Sequence, residues 1–284
     1  MKLYRQFHSQ EEIDQEYDLR HSVEDPIPFR NFYSASNKLT AQTLTCQHKI
    51  PYGPSLDETL DIFPVEKKKA PVLVFIHGGY WRSKQSEDYH FVALGPHRED
   101  ILTVVVNYSL CPKVRIDEIS RQCRAALVWV SKNIASYGGD PEAVVVVGHS
   151  AGGQQVAQLL STPWQANYGI SQPIRAAMSI SGLFDLRPLQ YSFLQPKLML
   201  DAITIERESP LFQLPESAPH LTISVGDEEP AEFVRQSKDY YQAWREQALP
   251  GSYFEQEANH YTAINGMTQP GSRLMEEIQA LFDS

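Results

Sequence analysis

Five short apolar runs constrain the fold of this chain more than any other feature. They cover residues 71–76, 101–106, 143–147, 176–180 and 221–225, and they are rich in Val, Ile, Leu and Ala. A strand that is apolar on both faces belongs inside a parallel sheet covered on each side by helices. The segments between the runs agree. Residues 116–134 place Ile116, Ile119, Cys123, Ala126, Leu127, Val130 and Ile134 on one helical face, and residues 154–160 and 233–248 show the same period. Strands alternating with helices predict an open, mostly parallel α/β sheet flanked by helices. Residues 43–50 and 59–65, on either side of Tyr52-Gly53-Pro54, are expected to form an additional strand pair at its start.

Two segments stand outside the alternation. Residues 1–42 are polar; Ser9 followed by Glu11, Glu12 and Ile13 marks a capped helix start, and Pro26 and Pro28 are expected to break any long helix. This stretch reads as an arm or part of a cap. Residues 43–284 read as a single α/β domain. Within it, residues 183–215 carry Pro188, Pro196, Pro210 and Pro215 and are expected to leave the sheet as an insertion, a candidate lid. The cap is then the arm together with 183–215.

Charge and cysteine content exclude several functions. With 284 residues the chain is long enough to bury a core without a disulfide or metal staple. Its net charge of −10 opposes a phosphate backbone or an anionic membrane, so neither nucleic acid nor membrane is an expected partner. Three scattered cysteines, Cys46, Cys111 and Cys123, fit free thiols in a reducing compartment. The first residues show no apolar leader, and the expected location is cytoplasmic. No phosphate-binding loop, dinucleotide fingerprint, H-E-x-x-H or clustered Cys/His pattern is present, so neither cofactor nor metal is expected. A homodimer is open to the chain, and the sequence does not fix the oligomeric state.

Chemistry concentrates in three places. Gly148-His149-Ser150-Ala151-Gly152 follows one apolar run directly and leads into a helical pattern. G-x-S-x-G between strand and helix is the context in which a sharp turn presents a nucleophilic serine above a sheet, here Ser150. His77-Gly78-Gly79-Tyr80-Trp81 follows another run. Backbone N–H groups around Gly78, Gly79 and Tyr80, with that of Ala151, are placed to hold an oxyanion. Tyr80 and Trp81 are expected to wall the site for an aromatic group. The base must follow the serine in this architecture. Of the histidines after Ser150, His220 opens a strand at the wrong end of the sheet, leaving His260. For the acid, Gly226-Asp227-Glu228-Glu229-Pro230 offers Glu229 first and Asp227 second, with Asp185 a third choice.

These motifs resemble the α/β-hydrolase fold, in its HGG-loop esterase and lipase branch. Leu60-Asp61-Ile62-Phe63-Pro64, residues 77–81, residues 181–188 and Glu232-Phe233-Val234-Arg235-Gln236-Ser237 together resemble the arylformamidase (kynurenine formamidase) family and its esterase relatives. The resemblance spans roughly residues 10–283. It implies hydrolysis of N-formyl-kynurenine to kynurenine and formate without a cofactor. It carries over Ser150 as nucleophile, His260 as base, Gly78, Gly79 and Tyr80 as oxyanion loop, and Glu229 at the acid position. Glu229 departs from the aspartate common there, and Gly153-Gln154-Gln155 departs from the usual alanine and histidine. The expectation is a serine hydrolase acting on a small acyl amide or ester. The alternatives are a short-chain or aryl carboxylesterase and, from another class, a non-catalytic binding protein on the same scaffold.

Overall fold

A computed structural model describes residues 2–283. Eight strands form one sheet: β1 (Gln47–Pro51), β2 (Thr59–Phe63), β3 (Ala70–Ile76), β4 (Leu102–Val106), β5 (Gly139–His149), β6 (Ala176–Ile180), β7 (His220–Gly226) and β8 (Gly251–Gln256), in the order β1-β2-β4-β3-β5-β6-β7-β8. The pairs β1·β2 and β2·β4 are antiparallel; every pair from β4 to β8 is parallel. The helices are α1 (Gln10–Tyr17), α2 (Ile27–Thr43), α3 (Leu94–Arg98), α4 (Ile116–Asn133), α5 (Ala151–Leu160), α6 (Trp164–Tyr168), α7 (Gln195–Leu198), α8 (Ala202–Glu208), α9 (Ala231–Glu246) and α10 (Arg273–Ala280). None is long and apolar enough to cross a membrane.

The apolar runs are the parallel strands because both faces of the sheet are covered. In β3, Val72, Val74 and Ile76 enter one core while Leu73 and Phe75 enter the other. Alternation along a strand sends successive side chains to opposite faces. Helices α4, α5 and α9 cover the first face, and α10 lies on the second.

The arm departs from expectation. Ser9 does cap α1, accepting from the Glu12 N–H. Pro26 and Pro28, however, do not prevent a long helix: α2 runs 17 residues from Ile27. Both prolines lie at its start, where a first-turn N–H has no helical partner and the fixed φ of proline suits the geometry.

The arm is held down by residues of the Glu232–Ser237 motif. Tyr17 donates to Glu232 Oε2 (2.8 Å), and the Gln236 amide donates to the Tyr17 hydroxyl (2.8 Å). Gln236 Oε1 also accepts from the N–H groups of Phe184 and Asp185 (2.7 and 2.8 Å). One buried side chain thus ties α9, the arm and the loop after β6 together. The segment 183–215 is folded as short helices packed into the body, with Leu183, Phe184, Leu186, Leu189, Leu194 and Leu198 buried.

Candidate active site

The parallel strands point their C-terminal ends at one rim, and the chemistry gathers there. Ser150 stands between β5 and α5 at φ 58° and ψ −120°, a strained conformation for a residue with a side chain. The turn closes only because Gly152 lacks a side chain: a Cβ there would lie 1.9 Å from the Ile76 carbonyl oxygen. The loop after β3 runs beside it. A Cβ on Gly78 would come within 2.9 Å of the Ser150 Cβ, and Gly79 holds φ +114°. Ala151 opens α5, so its N–H belongs to the turn that has no intrahelical acceptor.

His260 follows β8 and is buried. Its Nδ1 meets Glu229 Oε2 at 2.6 Å. Glu229 lies just after β7, and its Oε1 accepts from the Gly226 N–H (2.8 Å) and from the Ser181 hydroxyl. The carboxylate is therefore fixed on both oxygens, and the imidazole is oriented through Nδ1. Phe233, from the start of α9, packs against the His260 ring with centroids 4.6 Å apart.

The competing carboxylates do other work. Asp227 Oδ1 accepts from the Ala258 N–H at 3.2 Å, closing the turn between the β7 and β8 loops. Asp185 accepts from the Tyr4 hydroxyl (2.6 Å) and from two guanidinium nitrogens of Arg187 (2.9 and 2.7 Å). Neither is hydrogen-bonded to His260, whose carboxylate partner is Glu229. His220 opens β7 and faces Ser252 at 3.3 Å.

Ser150 and His260 open into one cavity of about 550 Å³, together with Gly79, Tyr80 and His149. Phe29 and Tyr33 from α2, with Tyr89 and Tyr261, add aromatic faces to its walls beside the polar Ser34, Asn37 and Ser83. Phe29 stacks on Tyr261 at 5.3 Å. Arg30 supplies positive charge at the wall, while Lys84 is paired there with Asp88 at 3.7 Å. The cover over the serine comes from the arm, and no residue of 183–215 lines this cavity. The sequence reading drew the cap from the arm together with 183–215; the arm lines this cavity, and 183–215 packs beside α4 and α5, where Glu208 accepts from the Ser120 hydroxyl and its carbonyl from the Gln154 amide.

Trp81 also differs from expectation. It is fully buried, does not line the cavity, and donates its indole N–H to Gln154 Oε1 (3.0 Å). Tyr80 and Trp81 are both left-handed (φ 51° and 55°). Tyr80 reaches the cavity and donates to the Tyr17 carbonyl (2.6 Å), while Trp81 turns into the core. Gln154 and Gln155, whose identity departs from the family pattern, lie beneath the site. Gln154 receives Trp81 and Gln155 and donates to the Glu208 carbonyl.

Two buried histidines shape the electrostatics. Burial, and then the neighbouring His260, push the His149 imidazole well below its usual range, so it stays neutral beside that ring. The rings lie 4.7 Å apart. His77 is pulled down to about 4 by burial, despite its bond to the Gly78 carbonyl (2.7 Å). Its ring stacks on Tyr108 at 4.2 Å. Because its folded value lies below the ordinary 6.5, the stability it confers is full above pH 6.5 and is lost as pH falls towards 4. The loss should reach about 3 kcal/mol at pH 4. Urea denaturation at pH 7 and pH 4 should show that much less pH sensitivity in His77→Gln. Equal sensitivity in both proteins would refute this role.

Comparison with known proteins agrees with the geometry. Residues 73–248 match a family model described as the alpha/beta hydrolase fold. This chain belongs to the α/β-hydrolase fold family. The kynurenine formamidase of Danio rerio is 30% identical over 223 residues, covering 76% of this chain and 74% of that protein. The kynurenine formamidase of Salmo salar is 30% identical over 210 residues, 72% of this chain and 69% of its own. Esterase LipQ of Mycobacterium tuberculosis is 26% identical over 82% of this chain. A solved protein of Silicibacter sp. TM1040, described as a candidate thioesterase, superposes with TM-score 0.82 at 27% identity, covering 96% of this chain and 99% of that one. The α/β hydrolase described here is an enzyme of the amide- and ester-cleaving type.

Proposed function

We propose that this hydrolase cleaves a small aryl formamide, N-formyl-kynurenine in the first place, through an acyl-Ser150 intermediate. The observation that carries the reading is the meeting of Ser150, the Glu229-bound His260 and the Gly78–Tyr80 loop in one aromatic cavity. His260 takes the Ser150 proton as the hydroxyl attacks the carbonyl, and returns it to the leaving amine. Glu229 holds the imidazole and stabilises its positive form. N–H groups around Gly78 to Tyr80, and that of Ala151, take the oxyanion. Water, activated by His260, then releases formate. No step calls for a cofactor.

The substrate assignment draws on the wall. Phe29, Tyr33, Tyr89 and Tyr261 offer faces for an aryl amine, and Arg30 offers charge for an amino-acid carboxylate. The kynurenine formamidases of similar sequence support it. A carboxylesterase is the second reading, supported by the likeness to LipQ over 82% of the chain. The two share one machinery, and the leaving group decides between them. The intact serine, base and oxyanion loop weigh against a non-catalytic scaffold. The test is kcat/KM for N-formyl-L-kynurenine beside 4-nitrophenyl acetate and butyrate, with Ser150→Ala as blank. The formamide should reach roughly 10⁴ M⁻¹s⁻¹ or more. Fast ester turnover with negligible formamide cleavage would move the assignment to the esterase.

A further inference from the structure

On the strand pair at the sheet edge, Cys46, His48 and Asp61 bring a thiol, an imidazole and a carboxylate together, with their ligand atoms all within 4.8 Å of one another. The convergence has a local cause. Cys46 and His48 are two apart on an extended chain and so project to one side. β1 pairs with β2 through a register irregularity between Gln47 and Ile50, at which Lys49 turns left-handed (φ 54°). That kink aims its N–H at Asp61 Oδ1 (2.9 Å) and swings His48 over the same carboxylate.

We propose that Cys46, His48 and Asp61 form a binding site for a divalent cation of the zinc class. The distances fit. His48 Nδ1 lies 3.5 Å from Cys46 Sγ and 3.4 Å from Asp61 Oδ1. A tetrahedral zinc ion, with sulfur at about 2.3 Å and nitrogen and oxygen at about 2.0–2.1 Å, sets its donors about 3.3–3.6 Å apart. A single cation is bound by all three groups at once, each through a lone pair.

The donor set also selects the metal. Sulfur, imidazole and a single carboxylate suit borderline-soft zinc or cobalt rather than magnesium or calcium. Three protein ligands leave a fourth position for water. The surroundings are built as metal sites are. Asp61 is buried, and its other oxygen accepts from Ser86 (2.6 Å) and meets His90 Nε2 at 3.0 Å, which orients the carboxylate. His48 is 56% exposed in its side chain, which leaves an entry path from solvent. Sequence alone gave no metal motif because Cys-x-His is too short a pattern and the third ligand comes from the neighbouring strand.

The site does not depend on the hydrolase reading. It would clamp β1 and β2 to the segment Ser86–Ala93, whose Tyr89 walls the catalytic cavity. The experiment uses the full-length protein, stripped by chelator and kept reduced, with Zn²⁺ and Co²⁺ as probes. Calorimetry should show one equivalent of Zn²⁺ bound, and saturation should raise Tm by about 5 °C. The Co²⁺ complex should show thiolate-to-cobalt charge-transfer absorption. Cys46→Ser should remove that absorption, and His48→Ala should weaken Zn²⁺ binding at least about 100-fold, with both apo proteins melting like the parent. His90→Gln should weaken it about 10- to 100-fold. Absence of the charge-transfer band in the parent protein, or Zn²⁺ binding unchanged by both ligand substitutions, would overturn the site.

Discussion

Ser150→Ala should lower kcat by about 10⁵- to 10⁶-fold with the fold intact, because the only nucleophile of the proposed pathway is gone. The effect should be non-additive. Once Ser150 is removed, His260 has no hydroxyl to deprotonate, so Ser150→Ala/His260→Ala should be no slower than either single variant. What remains over water would come from the oxyanion loop and from binding. The substitution is small in volume, and Ser150 makes its structural bond through its backbone N–H, to the Ile180 carbonyl (2.9 Å). Tm should therefore hold or rise, since a serine held in a strained, buried turn is itself a cost to stability. Residual activity within about a hundredfold of the parent would mean that another group attacks.

The second large effect concerns the acid. Glu229→Gln keeps the shape but removes the charge and turns one of the two accepting oxygens into an NH2 donor. An amide facing His260 Nδ1 also admits the wrong tautomer, so kcat should fall by roughly 10³- to 10⁴-fold. Asp227→Asn should leave kcat within a few-fold, because that carboxylate closes a backbone turn at Ala258. Asp185→Asn should cost stability instead: Arg187 and the Tyr4 hydroxyl lose a charged partner, at about 1–3 kcal/mol by denaturant unfolding. If Asp227→Asn collapsed kcat and Glu229→Gln did not, the assignment of the acid would be reversed.

The parts of this molecule that were legible in the sequence are those where one physical requirement dominates. The strands β3 to β7 are apolar on both faces, so their runs stand out, within a residue of where four of them lie; β5 begins earlier, at Gly139, and the parallel strand β8, polar and half-buried, gave no such run. The serine was legible because its turn tolerates no side chain at Gly152. His260 followed from chain order. Glu229 was favoured over Asp227 on spacing and on the family resemblance; the structure adds that Glu229 is the carboxylate held by Gly226, Ser181 and His260 together.

What was not legible depends on partners distant in sequence. The prolines at 26 and 28 read as breakers, yet the same residue type starts a helix when it lies in the first turn. Nothing local says that α2 faces the serine; its place is set by partners far along the chain, with the Tyr33 hydroxyl donating to the Tyr261 carbonyl, the Asn37 amide to the Asp88 carbonyl and the Phe91 N–H to Asn37 Oδ1. Trp81 looked like a substrate wall because it neighbours Tyr80, but Gln154 takes its indole N–H into the core. The Glu232–Ser237 stretch signalled a resemblance without a mechanism. In the fold, its Gln236 anchors the arm and its Phe233 backs His260.

The central claim is that turnover passes through an acyl group on Ser150, and the most direct measurement is mass spectrometry of the acid-quenched protein during 4-nitrophenyl acetate hydrolysis. With a good leaving group, deacylation limits the rate and the intermediate accumulates. The account predicts a protein heavier by one acetyl group, mapped by peptide digestion to Ser150 and absent from Ser150→Ala. Sustained turnover with only unmodified protein, or an acetyl group mapped to a different residue, would contradict it.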